Sequence, residues 1–320
     1  MDLNKELYKN PGFFKVFSVP ARSKLTDYSI QNPTVYFADP DINTLFWRIP
    51  TWEYESFLKM GEILFSHEKF HDFLNLGGIR YLVLNDDDNT NQDNAFYWYG
   101  SRSEFKEILE KNLYYLPKKT IWNIEVYENK DYLWLIFQSD VKIQDIVNVP
   151  DAKNLEILKF FDQVWYRFTL KNLDSSTNMY FSQRRNPDWY MSLDHIKEWL
   201  KVSGCSWIGN SFQSVEFLNA WEISKSEIIN YVRDCYEEEL KNEGYPKVTE
   251  NWGYNYKYYI QNPDGTIDVT LTIYFRPQLY YFFGIVVSCV FFIGVAIYLL
   301  RRAIYKIYHH LKQIKKHETV

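Results

Sequence analysis

His67, Glu68 and His71 stand in the order H-E-x-x-H. On a helix that spacing sets two imidazoles at i and i+4 on one face, where they can ligate Zn²⁺ while the glutamate serves as a general base. Read alone, this is the signature of a metal-dependent hydrolase. Three things weigh against it. Lys69 puts a cation inside the ligand turn, Asp72 follows the second histidine directly, and no third ligand stands at a familiar spacing downstream. The competing reading is an ordinary helix face, because Met60, Leu64 and Leu74 continue the histidine stripe. His67 and His71 are therefore the metal candidates to check, with no metal and no cofactor expected.

Three further groupings could do chemistry. The run Asp86 to Asn94 gathers oxygen ligands but lacks the glycine and terminal glutamate of a calcium loop, and reads as a solvated loop. Glu125, Glu128 and Asp131 offer carboxylates of the kind that hydrolyse glycosides, with nothing in the sequence to tie them to a cleft. Trp189, Tyr190 and Asp194 form the most plausible carbohydrate-binding edge: two stacking surfaces and an acceptor for hydroxyls. The alternative is that Trp189 plugs the end of a sheet. No catalytic residue is assigned.

The elements that must position these residues are dominated by one stretch. Leu279 to Leu300 is uncharged and is followed at once by Arg301 and Arg302. As a helix it is about 33 Å long, enough to cross a hydrocarbon core of about 30 Å. Tyr280, Tyr281 and Tyr298 suit the interfacial belts at its ends. The tail 301–320 carries Arg301, Arg302, Lys306, Lys312, Lys315 and Lys316 against Glu318, whereas the near upstream flank offers Arg276 and Lys257. The positive-inside bias puts the tail in the cytoplasm and residues 1–278 on the extracytoplasmic side. Ile304, Ile307, Tyr308, Leu311 and Ile314 fall at helical spacing, so the tail is expected to continue as an amphipathic helix on membrane lipid. Export of so large a domain needs a signal, and the start MDLNKELYKNPGFFKVF has no basic segment followed by an apolar core. The expectation is that the chain is the last part of a polytopic protein.

Composition fits such a domain. The 320 residues are 46% hydrophobic and 19% aromatic, with a formal charge of -5, which excludes a nucleic-acid binder of the usual basic kind. Aromatic residues at this density build sheet cores, and when exposed they stack on sugars. Cys205 and Cys235 lie outside the span and are expected as buried thiols rather than a pair.

The expected fold class is α+β: a mixed α/β unit over 1–150, an antiparallel β-sandwich-like domain with an inserted helix over 151–278, the transmembrane helix 279–300 and the basic tail 301–320. In the first unit, Trp52 to Leu76 predicts one helix stopped by Gly77-Gly78, Ile79 to Leu84 a buried strand, and Ser103 to Leu113 a helix capped by Ser101 or Ser103. Thr120 to Glu128 and Leu133 to Gln138 predict two strands. In the second, Gln163 to Leu170 pairs with Met179 to Ser182, and Ser224 with Glu227 opens a helix to Lys241. Asp264-Gly265 then turns a hairpin between Tyr254–Ile260 and Thr266–Phe275. The last strand runs almost directly into the span.

The ordered set PGFFKVFSVP (11–20), FLNLGGIRYLVLN (73–85), IEVYENKDYLWLIF (124–137), SQRRNPDWYMSLD (182–194), FLNAWEI (217–223) and IYFRPQLYYFFGIVVS (273–288) resembles the C-terminal region of YfhO-like and related GT-C-type bacterial membrane glycosyltransferases. The resemblance covers most of the chain, and its order and spacing carry it. It implies an extracytoplasmic α/β plus sandwich region closed by one helix, following a many-span half that holds the acidic catalytic residue and takes a polyprenyl-phosphate sugar. No position here matches that residue. The implied partners are membrane lipid, a glycan or lipid-linked sugar, and the missing N-terminal transmembrane half. The competing classes are a membrane-anchored binding or scaffold protein and a single-span zinc hydrolase using His67, Glu68 and His71.

Overall fold

A computed structural model of the chain describes residues 13–19, 34–36, 57–84, 101–121, 123–161, 165–183, 185–193, 209–215, 217–242 and 259–317. The chain divides into two compact units, Met1–Tyr274 and Phe275–Val320.

The first unit begins with β1 (Lys15–Val19), β2 (Thr34–Tyr36), α1 (Phe57–Ser66), α2 (Phe70–Leu76), β3 (Ile79–Leu84), α3 (Arg102–Asn112), β4 (Lys118–Ile121) and β5 (Ile124–Glu128). Its first sheet has the order β2-β1-β3-β5-β4, with β1 parallel to both neighbours and the hairpin β4–β5 antiparallel to β3. Strands buried on both faces read as continuous apolar runs, and FFKVFSV and IRYLVL do so. One face sends Phe17, Val19, Leu82 and Leu84 into a first core shared with Leu64, Phe65, Phe70, Leu74, Phe105 and Leu109 of the helices. The other face packs Phe14, Val16, Tyr81, Val83, Ile124 and Val126 into a smaller cluster. There the Arg80 guanidinium lies 5.3 Å from the Phe14 ring, 5.0 Å from Tyr81 and 5.3 Å from Tyr132, and Glu128 accepts from it at 3.2 Å.

Two antiparallel sheets follow. The second, in order β12-β13-β10-β6-β7, takes β6 (Ile136–Ser139), β7 (Lys153–Asn154), β10 (Ser176–Phe181), β12 (Asn210–Phe212) and β13 (Asn219–Ser224). The third, β11-β15-β9-β8 with β14 beside β15, takes β8 (Ile157–Phe161), β9 (Trp165–Leu173), β11 (Trp189–Ser192), β14 (Tyr259–Gln261) and β15 (Ile267–Phe275). Side chains alternate across a strand, and the second sheet uses both faces. Phe137, Tyr180 and Ala220 enter the first core, whereas Ile136, Met179, Phe181, Trp221 and Ile223 enter a second core with the third sheet. Helix α4 (Lys225–Asn242) adds Ile228 and Val232 to that second core.

The mixed α+β class expected from the sequence is what the structure has. The segments on either side of Pro150 share a sheet, because β6 before it pairs with β10 after it. Three local expectations need correction. The strands expected to pair at 163–170 and 179–182 do not: β9 pairs with β8 and β15 in the third sheet, and β10 with β6 and β13 in the second, because their side chains meet across the second core instead. The helix predicted over 52–76 is broken, among the described residues, into α1 and α2. The single strand predicted over 120–128 is the hairpin β4–β5, which reverses between Ile121 and Ile124. The second unit is one helix, α5 (Arg276–His317), of 42 residues.

Candidate functional site

The break between α1 and α2 decides the histidine motif. His67 stands after the last residue of α1, and its Nδ1 accepts from the Lys69 backbone N–H at 3.1 Å. Its carbonyl accepts from Phe70 N–H at 2.9 Å, so the residue organises the turn that starts α2. Lys69 leaves in another direction, its ammonium 2.6 Å from Asp145. His71 sits inside α2, with Nε2 3.8 Å from Asp131 Oδ2 and its ring edge-on to Tyr115 at 5.2 Å. The two imidazoles do not share a helix face, and the i, i+4 ligand geometry is lost. Among the described residues no three His, Cys, Asp or Glu side chains gather as a metal site requires. The acidic run Asp86 to Asn94 and Cys205 lie outside the described residues, as does the side chain of Cys235.

The expected sugar-binding edge is divided. Trp189 and Met191 face the second core, where Trp189 packs edge-to-face on Phe181 at 4.8 Å. Tyr190, one residue on, takes the opposite face of β11 and stacks on Tyr274 at 5.9 Å. Both are half-buried. Asp194 lies outside the described residues. The structure thus does not bring Trp189 and Tyr190 together as one stacking surface.

What it does bring together is a polar junction between the first two sheets. Lys15 of β1 is 7% exposed, and its ammonium donates to Ser182 Oγ at 3.1 Å, just past the end of β10. Asn219 holds the loop beyond: its Nδ2 donates to the Gln183 carbonyl at 2.9 Å and its Oδ1 accepts from Asn186 N–H at 3.0 Å. A lysine beside a serine hydroxyl is a pairing that can activate a nucleophile. Here Ser182 is 0% exposed, so no substrate reaches it in this conformation. The pair ties strand ends together. Its only sequence signal is a lysine interrupting the apolar run FFKVFSV.

The second feature concealed from sequence is Glu125, whose side chain is 6% exposed. Lys106 Nζ approaches at 2.8 Å, Thr120 Oγ1 at 3.0 Å and Lys118 Nζ at 3.4 Å. Lys118 also reaches Glu110 at 2.5 Å, making a four-residue ionic bridge between α3 and the β4–β5 hairpin. Burial pushes the Glu125 carboxyl up, but the hydrogen bonds from Lys106 and Thr120 and the lysine charges outweigh it and hold the group below the usual range. Of the three carboxylates considered for glycoside chemistry, Glu125 is occupied by lysines, Glu128 by Arg80, and Asp131 stands at the surface. A depressed folded pKa contributes stability above the ordinary glutamate value of about 4.3, and that contribution is lost as pH falls from there through the lower folded value. Glu125→Gln should therefore cost about 2 kcal/mol at neutral pH, and the difference from wild type should shrink under acid unfolding below that value. Denaturant melts across the acid range measure it; a pH-independent difference would contradict the assignment.

An open groove of 540 Å³ lies at the start of α4, lined by Asp174, Ser176, Ser224, Lys225 and Asn230 among others. Its one lysine is committed to the Gly265 carbonyl at 2.6 Å. In the second unit, Phe283–Tyr305 is a 23-residue candidate membrane span, whose 18-residue apolar stretch has mean hydropathy 2.7 and is not buried. Comparisons with family models, with curated proteins and with solved structures give no match to this chain. The molecule is thus an α+β protein with, among the described residues, one helix long and apolar enough to cross a membrane.

Proposed function

We propose that this chain is a membrane-anchored extracytoplasmic module of a glycosyltransferase-like envelope protein. It is non-catalytic itself: it shapes or loads a glycan or lipid-linked sugar site whose catalytic cavity is supplied by a multi-span membrane half. The observation that carries the reading is α5, whose uncovered, uncharged run Phe283–Leu300 is followed at once by Arg301 and Arg302. The positive-inside bias then assigns residues 1–278 to the outside and the tail to the cytoplasm.

Two further features support it. The segments that resemble YfhO-like proteins are the ones that build the fold: β1, the α2–β3 turn, β5 to β6, β11, β13, and the β15–α5 passage. In addition, His67, Lys15, Glu125 and Glu128 are engaged in a turn and in strand bridges rather than converging as nucleophile, base and orienting group. A lipid-linked donor keeps its phosphate at the membrane interface, and a single helix builds no cavity for its polyprenyl tail.

The purified chain in detergent, given polyprenyl-phosphate sugars and an envelope acceptor extract, should yield no product. Turnover above a heat-killed control would place the catalytic residues in this sequence and overturn the reading.

A further inference from the structure

Among the described residues of the first unit, the most exposed aromatic surface is not where the sequence pointed. Tyr114 is 82% exposed and Tyr115 is 43% exposed, in the turn that follows α3. The turn is rigid because its flanks are buried: Leu113 is 0% exposed and Leu116 6%. Leu113 N–H closes the helix on Leu109 O at 2.7 Å, and Leu116 N–H closes the turn on Leu113 O at 3.0 Å. Two leucines thus anchor the backbone in the core while two tyrosines are held outside.

The rings are set against each other. Tyr114 meets Tyr115 edge-on at 5.9 Å, Tyr115 meets His71 edge-on at 5.2 Å, and His71 Nε2 lies 3.8 Å from Asp131 Oδ2. Asp72 completes the group, close enough that its charge, after burial and Tyr114, helps push the Tyr115 hydroxyl up to about 12. That hydroxyl remains a donor at neutral pH.

We infer that Tyr114, Tyr115, His71 and Asp131 form a binding subsite for a neutral pyranose glycan. The apolar C–H face of a pyranose ring matches an exposed phenol face, whose negative quadrupole favours polarised C–H groups. Its ring hydroxyls match a rim of carboxylate, imidazole and phenol, which accept and donate hydrogen bonds. Asp72 and Asp131 offer carboxylate acceptors to sugar hydroxyls, whereas Lys111 and Lys130 nearby would suit an anionic lipid headgroup, which the lipid control below tests. The inference supplies a ligand chemistry for the proposed glycan-handling role, but its test reads binding alone and is decided independently of topology or transferase activity.

The test is saturation-transfer difference NMR on the full chain in detergent, with maltotriose and cellotriose as probes. Dihexanoyl phosphatidylglycerol below its micelle concentration is the lipid control. Wild type should bind at least one trisaccharide in the millimolar range, Tyr114→Ala should weaken it at least tenfold, and Tyr114→Trp should retain it. Asp131→Asn should weaken it severalfold. Because Tyr114 is exposed, Tyr114→Ala should melt with wild type, so lost binding cannot be lost folding. No trisaccharide binding by wild type, or equal binding by Tyr114→Ala, would overturn the inference. Tyr114-dependent binding of the lipid without binding of either sugar would overturn it in favour of a membrane contact.

Discussion

Gly78→Val should destabilise the protein by about 3 kcal/mol, a large part of the 5–15 kcal/mol that holds an ordinary domain. Two costs combine. Gly78 has φ +69°, a conformation that costs an L-residue about 1–2 kcal/mol and is worst for a β-branched one. A Cβ there would also stand 3.2 Å from the Leu133 carbonyl oxygen and 3.4 Å from Ser182 Oγ. The carbonyl is backbone and cannot swing aside. The position is a crossing point: Gly78 N–H bonds Asn75 O at 3.1 Å, and its carbonyl accepts from Lys15 N–H at 2.7 Å where β1 meets β3. Gly265, at φ +87° with nothing within 4 Å of its added Cβ, isolates the first cost. Gly265→Val should lose about 1–2 kcal/mol. Denaturant melts of both variants decide the matter; equal losses at the two sites would mean that the close approach at Gly78 has no energetic weight.

Much of the local structure was legible because its causes are local. IRYLVL is β3 as read, and Ser101 makes its capping box with Glu104 at the start of α3. Asp264-Gly265 turns the β14–β15 hairpin, since a glycine there takes the positive φ that such a turn requires. The uncharged run before Arg301 is a helix because 22 uncharged, largely apolar residues leave little alternative. By contrast, the break at His67 depends on an imidazole accepting from its neighbour's backbone, which periodicity does not reveal. The partnership of β6 with β10 joins strands about forty residues apart, and Lys15 with Ser182 joins residues 167 apart. Such non-local pairings are chosen by how faces meet in the core, not by propensity.

The site was harder to read for the same reason. Trp189 and Tyr190 are adjacent in sequence, so they look like one surface, yet strand geometry sends them to opposite faces. Tyr114 and Tyr115 are also adjacent, but they follow a helix in a tight turn, and buried Leu113 and Leu116 leave both outside. Exposure of an aromatic residue is set by what its neighbours bury. The sequence listed the aromatics, while the fold sorted them.

The proposed role requires the first unit to lie on the extracytoplasmic side, and that requirement produces an all-or-none effect. The motivation is the charge asymmetry about α5: six Lys and Arg residues after Leu300 against few before it, with orientation following Lys and Arg rather than net charge. In a background with Cys205, Cys235 and Cys289 replaced by serine, single thiols are introduced as Glu107→Cys, on the exposed face of α3, and Thr319→Cys, in the tail. The protein is expressed in its full genomic context, and intact cells are treated with a thiol reagent that does not cross membranes. The account predicts labelling at position 107 and none at 319 until the cells are lysed. Labelling at 319 in intact cells, with 107 protected, would put the folded unit in the cytoplasm and contradict the extracytoplasmic role.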